Sequence, residues 1–110
     1  MANSSARPVP SNRDSRRADR YVLEFLAFLR ARGSTKFTID LHDLSVTGFR
    51  CGTSYNMNVG DAVWLTIPGL EARESRVVWR NGFEYGCEFV EPLHIAVLDH
   101  IAKFWRKRPR

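Results

Sequence analysis

The 110-residue sequence predicts a mainly β protein, a six-stranded antiparallel β-barrel with a C-terminal α-helix. Three observations predict it. From Tyr21 onward, runs rich in apolar, β-branched and aromatic residues alternate with Gly, Asn and Asp breaks at intervals of about ten residues, the spacing of short strands joined by turns. The final run changes to a helical period. The composition, 44% hydrophobic and 26% charged, is that of a chain with a buried core, and the length suits one domain rather than two.

Taken in order, residues 1–15 hold Ser4, Ser5, Pro8, Pro10, Ser11 and Asn12 and too little apolar surface to order themselves, so they read as a flexible N-terminal arm. The strand segments are Tyr21 to Ala31, Thr35 to Leu41, Val46 to Cys51, Ala62 to Ile67, Glu71 to Arg80 and Phe83 to Val90. Gly33-Ser34, Asn58 to Asp61, Pro68-Gly69 and Asn81-Gly82 mark the breaks. Asn81-Gly82 is the strongest hairpin signal, because both residues tolerate the positive φ of a type I′ turn. Pro92 suits a first helical position, and Leu93, Val97, Leu98, Ile101 and Phe104 or Trp105 follow at helical spacing. This amphipathic helix is expected to cap an open end of the sheet or to pair with a copy of itself. A barrel of these six strands closes its own edges. The folded domain is thus expected over residues 16–105, followed by a basic tail at 106–110.

The net charge of +5 conceals a division. Residues 1–32 carry seven Arg against three acids and residues 103–110 five Lys or Arg against none, whereas residues 33–102 hold five basic and nine acidic side chains. The body is mildly acidic and the basicity belongs to the termini. A general nucleic-acid binder spreads its basic residues over a folded face, so nucleic acid is not the expected partner, although a small-barrel binder using its basic ends stays open. Basic termini also suit a small anion. Arg outnumbers Lys 14 to 3, and Arg alone offers planar bidentate hydrogen bonding to phosphate or guanine.

The longest apolar stretch, Tyr21 to Leu29, is interrupted by Glu24 and is far short of the roughly 20 residues that span a bilayer, so no membrane span is expected. With no secretion signal at the N-terminus, the expected location is the cytoplasm. Cys51 and Cys87 show neither CxxC nor CxxH spacing and read as reduced core or strand thiols, or as a pair facing across a sheet. His94 and His100 lie six apart on the predicted helix and face different ways, and no GxSxG or P-loop is present. No enzymatic activity, metal or cofactor is expected.

Two motifs remain. Arg16-Arg17-Ala18-Asp19-Arg20 contains an Arg-x-x-x-Arg pair where the arm meets the first strand, though four such pairs occur in the chain and each also reads as a solvated charge run. Asp43-Leu44-Ser45-Val46-Thr47-Gly48 is an Asp-x-Ser-x-x-Gly turn, which also reads as a sound β-turn with Asp and Ser bonding local backbone. Their order and spacing, together with Val77-Val78-Trp79 and then Tyr85-Gly86-Cys87-Glu88-Phe89, resemble the PilZ domain family over about residues 13–105.

The resemblance implies a PilZ-like split barrel that binds the bacterial second messenger cyclic di-GMP and passes the signal to an unidentified downstream protein. Arg16 and Arg20 match the family's arginine pair and would hold phosphates and meet a guanine, with Arg17 as a third contact. Asp43 would accept N–H donors from a guanine edge, Ser45 would bond beside it, and Gly48 would permit close approach. Trp79 is either a stacking platform or hairpin packing. The implied role is a receptor whose arm orders on the ligand. A PilZ-like adaptor working by protein contacts without nucleotide is the alternative.

Overall fold

The structure, a computed structural model, describes residues 20–105. The chain forms β1 (Arg20–Ala31), β2 (Phe37–Ser45), β3 (Gly48–Gly52), β4 (Ala62–Thr66), β5 (Arg73–Asn81), β6 (Glu84–Phe89) and α1 (Ile95–Trp105). The strands close into a barrel in the order β1-β2-β3-β6-β5-β4, with every pairing antiparallel and β4 returning to β1. Two meanders, β1 to β3 and β4 to β6, are therefore sealed along two seams. The six-stranded barrel and its single C-terminal helix are as the sequence predicts.

Period-two alternation places Leu23, Ala27 and Leu29 of β1, Leu41 of β2, Cys51 of β3, Val63 and Leu65 of β4, and Val77 of β5 in the core. Helix α1 adds Leu98, Ile101 and Ala102 to the same core, with Tyr21 Oη donating to Asp99 Oδ1 at 3.1 Å beside them. Burying Leu98 alone stabilises by roughly 1.5–3 kcal/mol relative to an exposed leucine. Phe104, expected on the apolar stripe, is 70% exposed.

Several strand boundaries differ from the sequence expectation by one or two residues, and three differences have a visible cause. Strand β2 runs on to Ser45, because Asp43, Leu44 and Ser45 continue the ladder with Val22, Tyr21 and Arg20. The helix starts at Ile95 rather than Pro92. Leu93 is buried with its N–H donated to Val46 O at 2.8 Å, and the His94 ring caps the first turn by accepting from Ala96 N at 3.0 Å. The β5-β6 hairpin pairs Asn81 with Glu84, so its two loop residues are Gly82 and Phe83. Gly82 at φ 65° takes the first loop position, where a primed hairpin turn requires positive φ.

The segment between β3 and β4 is fastened by Tyr85, whose fully buried side chain accepts from Met57 N and donates to Tyr55 O, both at 3.1 Å. Tyr85→Phe leaves Met57 N–H without its acceptor and is expected to cost about 1–3 kcal/mol in urea unfolding; an unchanged midpoint would remove this fastening role.

Cys51 and Cys87 are free, buried and on the paired strands β3 and β6. A hydrogen bond with Cys51, reinforced by burial, pushes the Cys87 thiol far above its ordinary range. A raised folded-state pKa favours the neutral thiol. Its stabilising contribution is therefore complete below about pH 8.5, where an unfolded thiol titrates, and is lost as pH rises beyond that at up to about 1.4 kcal/mol per pH unit. Under reducing conditions, wild-type stability should decline more steeply than that of Cys87→Ala above about pH 8.5, measured by urea unfolding; parallel declines would contradict it.

Candidate functional site

Strict alternation along β2 sends Leu41 inward and would send Asp43 inward too. The register forbids it. Leu41 pairs with Cys51 and Asp43 with Arg50, so His42 is an extra residue, a β-bulge, and it turns Asp43 to the outer face while Leu44 returns to the core opposite Phe49. The same event occurs in β5. Val77 pairs with Cys87 and Trp79 with Gly86, so Val78 is the extra residue and Trp79 faces outward.

Strand pairing then assembles one transverse row across four strands: Asp43 (β2), Arg50 (β3), Gly86 (β6) and Trp79 (β5). Arg50 donates from Nε to Asp43 Oδ2 at 2.9 Å and from Nη1 to Glu84 Oε2 at 2.7 Å. The bond to Asp43 raises the guanidinium pKa above its ordinary value. His42 Nε2 stands 3.8 Å from the same Glu84 oxygen. The Asp43 side chain is only 7% exposed, whereas that of Arg50 is 33% exposed and lies toward solvent.

Glycine makes the rest of the row shallow. The Trp79 indole lies where a Cβ on Gly86 would project. A Cβ on Gly48 would collide with the Cys87 carbonyl oxygen, so β3 begins in close approach to β6. A groove of about 310 Å³ results, lined among others by Ser45, Thr47, Gly48, Arg50, Trp79 and Glu88. Trp79 remains 40% exposed, with its ring available at the wall of the groove.

The turn closing this groove is held from within. Ser45 Oγ accepts from Gly48 N at 3.2 Å and Thr47 N at 3.3 Å, and sits 3.2 Å from Thr47 Oγ1. It is held from outside too, since Phe89 N donates to Thr47 O and Leu93 N to Val46 O, each at 2.8 Å. The turn therefore joins β2 to the segment leading into α1.

Of the residues singled out in the sequence, Ser45 and Gly48 line the groove and Asp43 lies beneath Arg50 at its edge. Arg20 begins β1 and its backbone pairs with Ser45. Arg16, Arg17, the arm at 1–15 and the tail at 106–110 lie outside the described residues. Sequence reasoning missed Arg50 and Glu84, which belong to neither motif. The signal that could have found Arg50 is its position two residues after Gly48, on the strand that must pair with Asp43. Among the described residues, no group of three or more His, Cys, Asp or Glu side chains is placed to hold a metal ion, and no helix is long and apolar enough to cross a membrane.

No protein-family model matches the chain, and no curated protein matches it.

Adding one methyl at Gly86 must displace the indole above it. Gly86→Ala is expected to expose Trp79 and shift tryptophan emission to the red, with no such shift when the change is made on a Trp79→Phe background. An identical spectrum would show that the ring does not rest on Gly86.

Proposed function

We propose that this protein is a non-enzymatic receptor for cyclic di-GMP that signals to a protein partner. The observation that supports the reading is the register of β1 against β2: the backbone of Arg20, last residue of the arginine motif, pairs with Ser45 of the Asp-x-Ser-x-x-Gly turn. Arg20 and Asp43, 23 residues apart in sequence, thus stand on paired strands.

The chemistry beside that pairing fits a guanine-bearing dianion. Asp43 is a carboxylate suited to the N1–H and N2–H donors of a guanine edge, and the exposed ring of Trp79 offers a stacking surface worth roughly 1–3 kcal/mol per base. Gly86 lets the indole settle against β6, and Gly48 lets β3 approach β6 closely. Around the groove, Arg50 is already shared between Asp43 and Glu84, and Glu88 adds a further negative charge. The phosphates must then be met by Arg16, Arg17 and Arg20, whose charge-assisted bonds offset the entropy of ordering the leader. Fixing the leader at a turn already bonded to the chain before α1 offers the partner a changed surface.

Calorimetric titration with cyclic di-GMP is expected to give a Kd at or below about 1 μM, and Arg16→Ala with Arg20→Ala to abolish binding while leaving thermal unfolding unchanged. An absence of heat from the wild-type protein at tens of micromolar would reject the receptor in favour of an adaptor working by protein contacts. Steeply salt-dependent binding to an oligonucleotide, unaffected by the double change, would favour a nucleic-acid binder.

A further inference from the structure

We infer that Arg50 occupies, within the protein, the place of the ligand's base edge, and that Glu84 is the acceptor that keeps it when a base takes Asp43. This rests on the receptor reading above and adds a specificity-determining exchange to it. Neither residue belongs to the two motifs from which that reading came.

The argument starts from donors and acceptors. A guanidinium presents parallel N–H groups to a carboxylate, and so does guanine through N1–H and N2–H. Arg50 Nε already donates to Asp43 Oδ2 at 2.9 Å. The Asp43 side chain is 7% exposed beside an Arg50 that is 33% exposed, so an incoming base meets the guanidinium before the carboxylate. With Asp43 covered in this way, an edge-on base and the guanidinium compete for one approach to the carboxylate. The base must displace Arg50 from Asp43.

Displacement alone would strand a cation beside the groove. Glu84 prevents this, because its Oε2 already accepts from Arg50 Nη1 at 2.7 Å and its side chain is 42% exposed, free to follow the guanidinium outward. The exchange keeps every charge partnered: base on Asp43, Arg50 on Glu84. The arrangement also discriminates. Adenine presents an acceptor at N1 and cannot replace a guanidinium on a carboxylate, so it leaves Arg50 in place.

The test turns on sign. If charge alone mattered, Arg50→Gln would weaken binding of a dianion and Glu84→Gln would strengthen it. The exchange demands the reverse. Arg50→Gln removes the competitor for Asp43 and should tighten cyclic di-GMP about threefold to tenfold, whereas Glu84→Gln leaves displaced Arg50 without its second acceptor and should weaken binding by a similar factor. Calorimetry on the full chain reads both. Should Arg50→Gln fail to fold, Arg50→Lys keeps the charge, gives up the span between two carboxylates, and should also tighten binding. In the wild-type protein, the Arg50 Nε–H resonance should shift on adding cyclic di-GMP and stay unmoved on adding cyclic di-AMP. Binding by the wild-type protein with the charge-only signs, with unchanged affinities or with a static Arg50 resonance overturns the exchange and leaves the receptor standing. No binding by the wild-type protein overturns the receptor itself.

Discussion

Two extra residues set the chemistry of the outer face. A strand shows its side chains alternately to either face, so a polar residue two positions from a core leucine is destined for the interior unless the count is broken. In β2 the break is His42, and in β5 it is Val78. Without the first, the Asp43 carboxylate would enter the barrel among Leu41, Cys51 and Leu23, a burial that costs several kcal/mol unless the group is neutralised or paired. With it, the carboxylate pairs with Arg50 while Leu44 still reaches the core. The second break sets Trp79 over Gly86 rather than beside Val77. Both bulges lie in the strands flanking β3 and β6, and so both residues fall into the row that crosses these two central strands.

The electrostatics of that row follow from its depth. Arg50 joins a covered carboxylate on β2 to an open one on β6, and a bond of this kind gains more than a surface pair because Asp43 is largely screened from water. The network is also lopsided. Its acids outnumber its single guanidinium, which leaves the row short of positive charge beside the groove.

The barrel was legible in the sequence because its signals are local: alternation, punctuation every ten residues or so, and a change of period at the end. Asp43, Ser45 and Gly48 were legible for the same reason, since a turn motif is a short-range statement about hydrogen bonds and allowed backbone. The bulges were not. Whether His42 is an extra residue depends on which residue of β3 opposes Leu41, a relation between strands that no single segment carries. Arg50 and Glu84 were hidden likewise, one on each of two strands separated by 34 positions and meeting only through the β3-β6 pairing. The helix start misled because Pro92 is a good first residue by preference, while the actual choice was made by Leu93 bonding to Val46 and by the His94 cap. Gly82 shifted the hairpin by one residue because positive φ at the first loop position outweighed the Asn-Gly pattern.

Closure of the barrel has a consequence for how another macromolecule is recognised. Every described strand has two neighbours, but β1 pairs with β4 only from Phe28 onward, so its earlier part, laddered to β2 alone among the described residues, is an edge that a foreign strand could meet. Elsewhere on the barrel a contact would rest on side-chain relief: the indole wall and the exposed residues of α1. Such contacts are set by shape and charge and are remade whenever those residues are rearranged.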